Sequence, residues 1–346
     1  MPETKQPLLG MTLAELREVA AQCKLPSYAA GQISDWLYKK RVATIEEMTN
    51  ISAAGRSRLH EGYEVGRTAH TLARKSADGT IKYAFPASGS HIETVYIPAS
   101  DRNTLCVSSQ VGCKMSCVFC MTGRNGFTAN LTSNGIINQI VSAPESAQIT
   151  NVVFMGMGEP FDNTDEVMKT LDILTSSYGF GWSPKRITVS TIGAKGLKRF
   201  LDESSCNLAV SLHSTYRDDR FSIIPSEKAF PIQQTIALIG KYDFSHQRRV
   251  SFEYILFKGF NDSPRHAASL SLLLKGIHCR VNLIAYHHIP DAMLEGVSPE
   301  RMETFREILS RKGITCTIRT SRGEDIQAAC GMLGGNNVRA KQPRKA

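Results

Sequence analysis

Three cysteines, Cys113, Cys117 and Cys120, stand in the run VGCKMSCVFCMTG with the spacing C-x3-C-x2-C and no fourth cysteine nearby. A [4Fe–4S] cluster offers four irons and normally takes four thiolates. Three ligands in one tight loop leave an iron open. An open iron can hold a substrate or cofactor as well as pass electrons. The plainer readings are a structural zinc loop or buried thiols. Zinc needs a fourth ligand in step, commonly another C-x2-C or a histidine pair, and no such second pair exists here.

Two further cysteines stand out. Cys106 lies seven residues before the cysteine loop, and Cys330 lies in RGEDIQAACG between Ala329 and Gly331. A thiol flanked by Ala and Gly suits a tight, accessible turn, although two inert core thiols would look the same. Cys23, Cys206, Cys279 and Cys316 have no such context and read as core or surface thiols. Short polar, glycine-bearing runs recur as well: MGMGEP at 155–160, STIG at 190–193 and Ser211-Leu212-His213. Each alone reads as a turn or a helix cap. Together they resemble the ligand-binding edge of a parallel α/β fold. Gly158 would allow close backbone approach, and Glu159 could accept from an ammonium or a ribose hydroxyl.

The elements that must position these residues follow from the pattern. Residues 1–65 read as helical, with a capping box at Thr12 and Glu15 and a second helix opened by Pro26-Ser27. Residues 66–103 read as a β-rich connector with a hairpin signal at Ala77-Asp78-Gly79. From Thr104 the chain alternates strand and helix, with strands at 104–108, 150–155, 186–191, 207–212, 250–257, 280–286 and 314–319. That alternation predicts a parallel sheet with helices outside. Six βα units suit a partial, TIM-like (βα)6 barrel over 104–333, which would carry Cys330 near its end. Residues 334–346 read as a flexible basic tail.

Composition narrows the class. A chain of 346 residues suits one large α/β domain and a small one. No apolar run approaches the ~20 residues of a membrane span, so no membrane association is expected. The N-terminus is too polar for a secretory signal. Nine cysteines without an export signal suggest a cytoplasmic protein whose thiolates serve metals or catalysis. The formal charge of +9 suggests a polyanionic partner, with basic groups at 39–41, 195–199, 248–249 and in the tail. A basic enzyme without such a partner is the alternative.

The C-x3-C-x2-C spacing resembles that of radical S-adenosylmethionine (SAM) enzymes. Taken with IETVYIP, TLCVSSQVGC, MGMGEP, VSTIG, SLH, VNLI and RGEDIQAACG, in order along nearly the whole chain, it resembles the RlmN group of the RlmN/Cfr adenosine methyltransferases. The resemblance implies a radical SAM barrel with a small helical N-terminal accessory domain for RNA. It implies methylation at C2 of one adenosine in the peptidyl-transferase region of 23S rRNA and of adenosine 37 in certain tRNAs. It also implies one [4Fe–4S] cluster on Cys113, Cys117 and Cys120. SAM would be held by Gly158, Glu159, Ser190, Ser211, Leu212 and His213. His287 stands where the family commonly has Asn, and a ring nitrogen can still make that hydrogen bond.

On the same resemblance, Cys330 becomes methylated, Cys106 is its disulfide partner, and Glu93 accepts the C2 proton. Adenine C2 is not a nucleophile, so direct displacement on SAM is closed to it. The family's route places a methyl on Cys330. A 5′-deoxyadenosyl radical then takes hydrogen from it, the carbon adds to C2, and attack by Cys106 on the Cys330 sulfur releases the product. A reductant must reopen the disulfide. The expected partners are RNA and an electron donor such as flavodoxin, and the expected state is a monomer. The nearest rival is Cfr-type methylation at C8, although MGMGEP looks like RlmN. The others are a radical SAM enzyme with a non-RNA substrate and an electron-transfer iron–sulfur module.

Overall fold

A computed structural model describes residues 5–244, 248–290 and 292–334. The basic tail expected from 334 onward therefore lies outside the described residues, apart from Gly334. Three helices come first: α1 (Leu13–Gln22), α2 (Ala29–Ser34) and α3 (Ala53–Gly62). Thr12 caps α1 and closes the expected capping box with Glu15. The chain leaves α2 through a π-helical turn, Asp35–Lys40, and ends it at Arg41 with φ 59°. Ile33 and Leu37 are buried there as the apolar spacing predicts, while Trp36 is only half-buried.

These helices share a core with the barrel. Leu8, Leu16, Ile33, Leu37 and Tyr38 pack against Ile137, Val141 and Ile173. Lys169 reaches Glu15 at 2.6 Å. Arg41 donates to the Ser146 carbonyl and hydroxyl.

One ten-stranded sheet carries the rest. Its strands are β1 (Leu72–Lys75), β2 (Ile81–Ala87), β3 (Ser90–Pro98), β4 (Asn103–Cys106), β5 (Asn151–Phe154), β6 (Ile187–Thr191), β7 (Asn207–Ser211), β8 (Val250–Leu256), β9 (Cys279–Ala285) and β10 (Thr315–Arg319). Spatial order follows chain order. β1 to β4 form an antiparallel meander, and β4 to β10 are all parallel. The crossover helices between the parallel strands are α4 (Ser133–Val141), α5 (Thr164–Thr175), α6 (Leu197–Glu203), α7 (Ile232–Ile239), α8 (Pro264–Leu273) and α9 (Pro299–Arg311), with two further short helices, Met121–Arg124 and Arg217–Ile223, in the loops after β4 and β7. Six βα units thus end on a seventh parallel strand. β10 and β1 remain edges, so the barrel is partial, as expected.

The strands alternate rather than running apolar throughout. Val152, Phe154, Ile187, Val189, Leu208, Val210, Phe252, Tyr254, Val281 and Leu283 are buried in the main core. Burial of each such side chain favours folding by roughly 1.5–3 kcal/mol. The alternate positions, among them Thr104, Asn151, Thr188, Ser251, Glu253 and Asn282, line a cavity of about 600 Å3. A closed barrel fills that space with branched apolar side chains. Here it is polar, and Cys330 is part of its wall. No helix among the described residues is long and apolar enough to cross a membrane.

Candidate functional site

The cysteine loop is closed by its own neighbours. Gln110–Gly112 pairs antiparallel with Phe127–Asn130, and the Cys113 amide donates to the Gly126 carbonyl at 2.8 Å. Inside that frame the Cys120 amide donates to the Cys117 carbonyl, and Cys120 caps the one-turn helix Met121–Arg124. Burial pushes the Cys113 thiol up to about 12 and the Cys117 thiol well above its usual range. Burial also raises Cys120, against the opposing amides of Gly123 and Thr122. Cys117 is raised further by Cys120 and Cys113, so the three sulfurs crowd one region.

Among the described residues, no three His, Cys, Asp or Glu groups converge to hold a single metal ion. Thiolates that each bind a separate iron of a cluster do not need to converge in that way. Three crowded thiols, Cys113 and Cys117 buried and Cys120 partly buried, are costly as bare anions, and coordination to iron relieves that cost. The donor set therefore fits an iron–sulfur cluster.

The expected SAM-contacting residues come to one edge of the sheet. Gly158 and Glu159 follow β5, Ser190 lies in β6, Ser211 ends β7, and Leu212 and His213 follow it. Gly158 has φ +103°, and a Cβ there would sit 2.6 Å from Gln110 Cβ, so only glycine fits. Glu159 is buried, and its carboxylate accepts from Thr191 Oγ1 at 2.6 Å and from the amides of Ile192 and Phe161. Burial raises its pKa to about 7 against those hydrogen bonds. Two donors on Oε1 and one on Oε2 leave Oε2 able to accept once more.

His213 has φ 57°. Its Nδ1 accepts from the Ile255 amide at 3.0 Å, and its ring meets Phe119 edge-on at 4.8 Å. Burial, and secondarily Arg220, lower its pKa to about 3, so the ring is neutral and Nε2 is left as a donor. His287 is buried too, but its ring is held by Ser321 at 2.9 Å and lies 3.3 Å from Glu324. It shares the cavity wall with Ser321, Arg322 and Cys330.

Cys106 and Cys330 are both thiols, Cys106 buried and Cys330 exposed. Burial raises Cys106 to about 12; Cys330 adds to the rise and Arg319 opposes it. The Cys330 loop is held from outside. The Met121 amide donates to the Gly331 carbonyl at 2.8 Å. Thr122 Oγ1 donates to the Leu333 carbonyl and Asn125 Nδ2 to the Gly334 carbonyl. Lys82 Nζ donates to the Gln327 carbonyl and lies 3.1 Å from Glu93. The other Glu93 oxygen accepts from the Gly334 amide at 2.6 Å.

The turn between β1 and β2 completes the support. Ser76 and the Ala77 amide donate to Asp325, and the Gly323 amide donates to Asp78. The expected hairpin at Ala77-Asp78-Gly79 is thus part of the site's frame.

Arg319, Lys82 and Asn125 carry no motif of their own, and Thr122 and Asp325 lie in motifs that do not announce their roles. Their roles depend on partners far away in the chain. The basic stretches need a correction. Lys39 pairs with Asp35, Lys198 with Asp202, and Arg199 with Asp165 and Glu203. Arg41 is turned onto Ser146. These runs therefore present less free charge than their residue types suggest.

Known proteins match this chain throughout. Residues 6–65 match the model of the ribosomal RNA large subunit methyltransferase N-terminal domain, and residues 107–270 match the radical SAM superfamily. A probable dual-specificity RNA methyltransferase RlmN of Parabacteroides distasonis is 62% identical over 331 residues, covering 95% of this chain and 96% of that one. The dual-specificity RNA methyltransferase RlmN of Desulfotalea psychrophila is 38% identical and covers 94% of each chain. The crystal structure of a radical SAM methyltransferase from Sphaerobacter thermophilus superposes with a TM-score of 0.90 at 40% identity, over 96% of this chain and all of that one. These relatives cover 94–96% of the chain, and the chain belongs to the RlmN family of radical SAM methyltransferases.

Proposed function

We propose that this enzyme methylates C2 of a specific adenosine in 23S rRNA and of adenosine 37 in tRNAs, using Cys330 as the methyl carrier. The observation that carries this reading is the Cys330 loop itself. It is pinned to Met121, Thr122 and Asn125, the residues that follow the last cluster cysteine, and it opens on a polar cavity.

Cys113, Cys117 and Cys120 would hold a [4Fe–4S] cluster, and Gly158, Glu159, Ser190, Ser211, Leu212 and His213 would hold SAM. When bound, these groups supply one-electron cleavage chemistry that yields a hydrogen-abstracting radical. The protein's residues do the rest. Exposed Cys330 takes and presents the methyl group. Glu93, held between Lys82 and the Gly334 amide, stands ready to take the C2 proton. Burial keeps the Cys106 thiol protonated and quiet, and the Arg319 guanidinium favours its thiolate when release requires it. Once the adduct has given up one electron and the C2 proton, a sulfur–sulfur bond forms as the bond from the Cys330 sulfur to the transferred carbon breaks, and that carbon keeps the electron pair and takes a proton to become the methyl group. An external reductant reopens the disulfide, and the same cycle needs an electron donor such as flavodoxin.

In this reading residues 1–65 and the basic tail help bring RNA to the barrel. RNA affinity should then fall as salt rises. The enzyme works in the cytoplasm as a monomer. The test is mass analysis of adenosines from RNA treated with reconstituted protein and SAM. C2-methyladenosine is the expected product. C8-methyladenosine would transfer the chain to Cfr-type chemistry, and SAM cleavage with unmodified RNA would point to another substrate.

A further inference from the structure

Arg220 is among the largest fully buried side chains of the protein, at 0% exposure, and its partner Glu227 is equally buried. Neither belongs to the machinery described above. Arg220 lies on the short helix Arg217–Ile223, between β7 and α7. Its Nε donates to the Leu212 carbonyl, and its Nη2 donates to the carbonyls of Ile192 and Ser211. One guanidinium thus ties the ends of β6 and β7, the edge that carries Ser190, Ser211 and His213. Its other arm meets the Glu227 carboxylate. That carboxylate also accepts from the Ile232 amide, at the start of α7.

The same helix touches the cluster loop. The Val118 amide donates to the Ile223 carbonyl at 3.0 Å, and Ile223 and Ile224 pack in one apolar cluster with Cys113, Cys117 and Phe119. Replacing a buried ion pair by apolar side chains often costs nothing in stability. Stability alone is therefore a weak reason for this pair to be here.

We propose that Arg220 and Glu227 form a buried positioning pair, on a helix packed against the cluster loop, that sets how readily a cluster on Cys113, Cys117 and Cys120 accepts an electron. This rests on the cluster assignment proposed above. Reduction adds negative charge to a group already surrounded by thiolates. A guanidinium held nearby in a dry interior stabilises the reduced state. Glu227, paired with Arg220, offsets part of that positive charge.

The two charges must therefore move the reduction potential in opposite directions. The test is an EPR-monitored redox titration of the anaerobically reconstituted full chain, with iron content measured on each sample. Glu227→Gln keeps the guanidinium and its three carbonyl bonds, and its potential should shift positive. The double variant Arg220→Met/Glu227→Leu should load iron and shift negative. A pair with a structural role alone would change iron content or melting temperature and leave the potential of the loaded cluster in place. An unchanged or more negative potential in Glu227→Gln overturns the proposal, even if the double variant fails to load iron. A wild-type protein with no reducible cluster signal would strike the cluster assignment itself, and the proposal with it.

Discussion

The cluster loop and the Cys330 loop meet at one end of the barrel but are built in different ways. The cluster loop is clipped shut by its own flanks, Gln110–Gly112 against Phe127–Asn130 and Cys113 against Gly126. The Cys330 loop hangs from the Met121–Arg124 helix, from Lys82 and Glu93, and from the turn before β2. A loop closed on itself depends on its own spacing. A hung loop depends on each support, and it can be released while the sheet beneath stays folded. Iron binding and methyl carrying should therefore be separable.

The hardest break falls on the self-closed side. Alanine at Cys113, Cys117 or Cys120 should abolish iron loading and SAM cleavage together, because each would hold an iron of its own. Full iron content in any single variant would refute the three-ligand assignment.

On the hung side, Lys82→Met removes a support and leaves the buried Glu93 carboxylate without its cation. Breaking a buried pair in this way costs about 3 kcal/mol or more. Urea unfolding of the cluster-free protein should show that loss, and a change within experimental error would mean Glu93 finds other partners. Asp325→Ala cuts two hydrogen bonds to the β1–β2 turn. With those two supports gone, methylation of Cys330 should slow severalfold. Iron content should stay at the wild-type level. Loss of iron in this variant would join the two loops into one unit.

A finer contrast concerns pH. Glu159 has a raised pKa, so its contribution to stability is full below the ordinary carboxylate range and is lost as pH rises through about 7. His213 has a lowered pKa, so its contribution is full above about 6.5 and is lost as pH falls toward about 3. Between pH 4.5 and 6.5 the two oppose. Glu159→Gln should leave the His213 part exposed, and the cluster-free variant should then gain stability relative to wild type as pH rises across that window. Parallel stability curves for variant and wild type would show that Glu159 does not titrate there.

What could be read from the amino-acid order divides along the same line. The closed three-cysteine loop, the Gly158 turn, the Thr12 cap and the hairpin at Ala77-Asp78-Gly79 are local, and spacing or residue type announces them. The six βα units follow from alternation, which is local as well. The supports of the Cys330 loop are not legible in this way, since Lys82 lies 245 positions from Gln327 and Ser76 lies 249 from Asp325. Arg220 and Glu227 look like ordinary surface charges in Arg217–Lys228 and have no exposure at all once folded. The short helix that holds Arg220 has no long apolar period to mark it. Basic runs mislead in another way: Asp35, Asp202 and Glu203 stand four positions from Lys39, Lys198 and Arg199, a local spacing that residue counting overlooks, while Asp165 reaches Arg199 only through the fold.

The central claim is that Cys330, and not Cys106, carries the methyl group. Peptide mass spectrometry of protein isolated with its cluster assembled, before any RNA is added, tests it most directly. The account predicts the mass of one methyl group on the peptide containing Cys330, unmodified Cys106, and the same result in Cys106→Ala. A methyl group on Cys106, or a fully loaded enzyme that methylates RNA while Cys330 stays unmodified throughout, would contradict it.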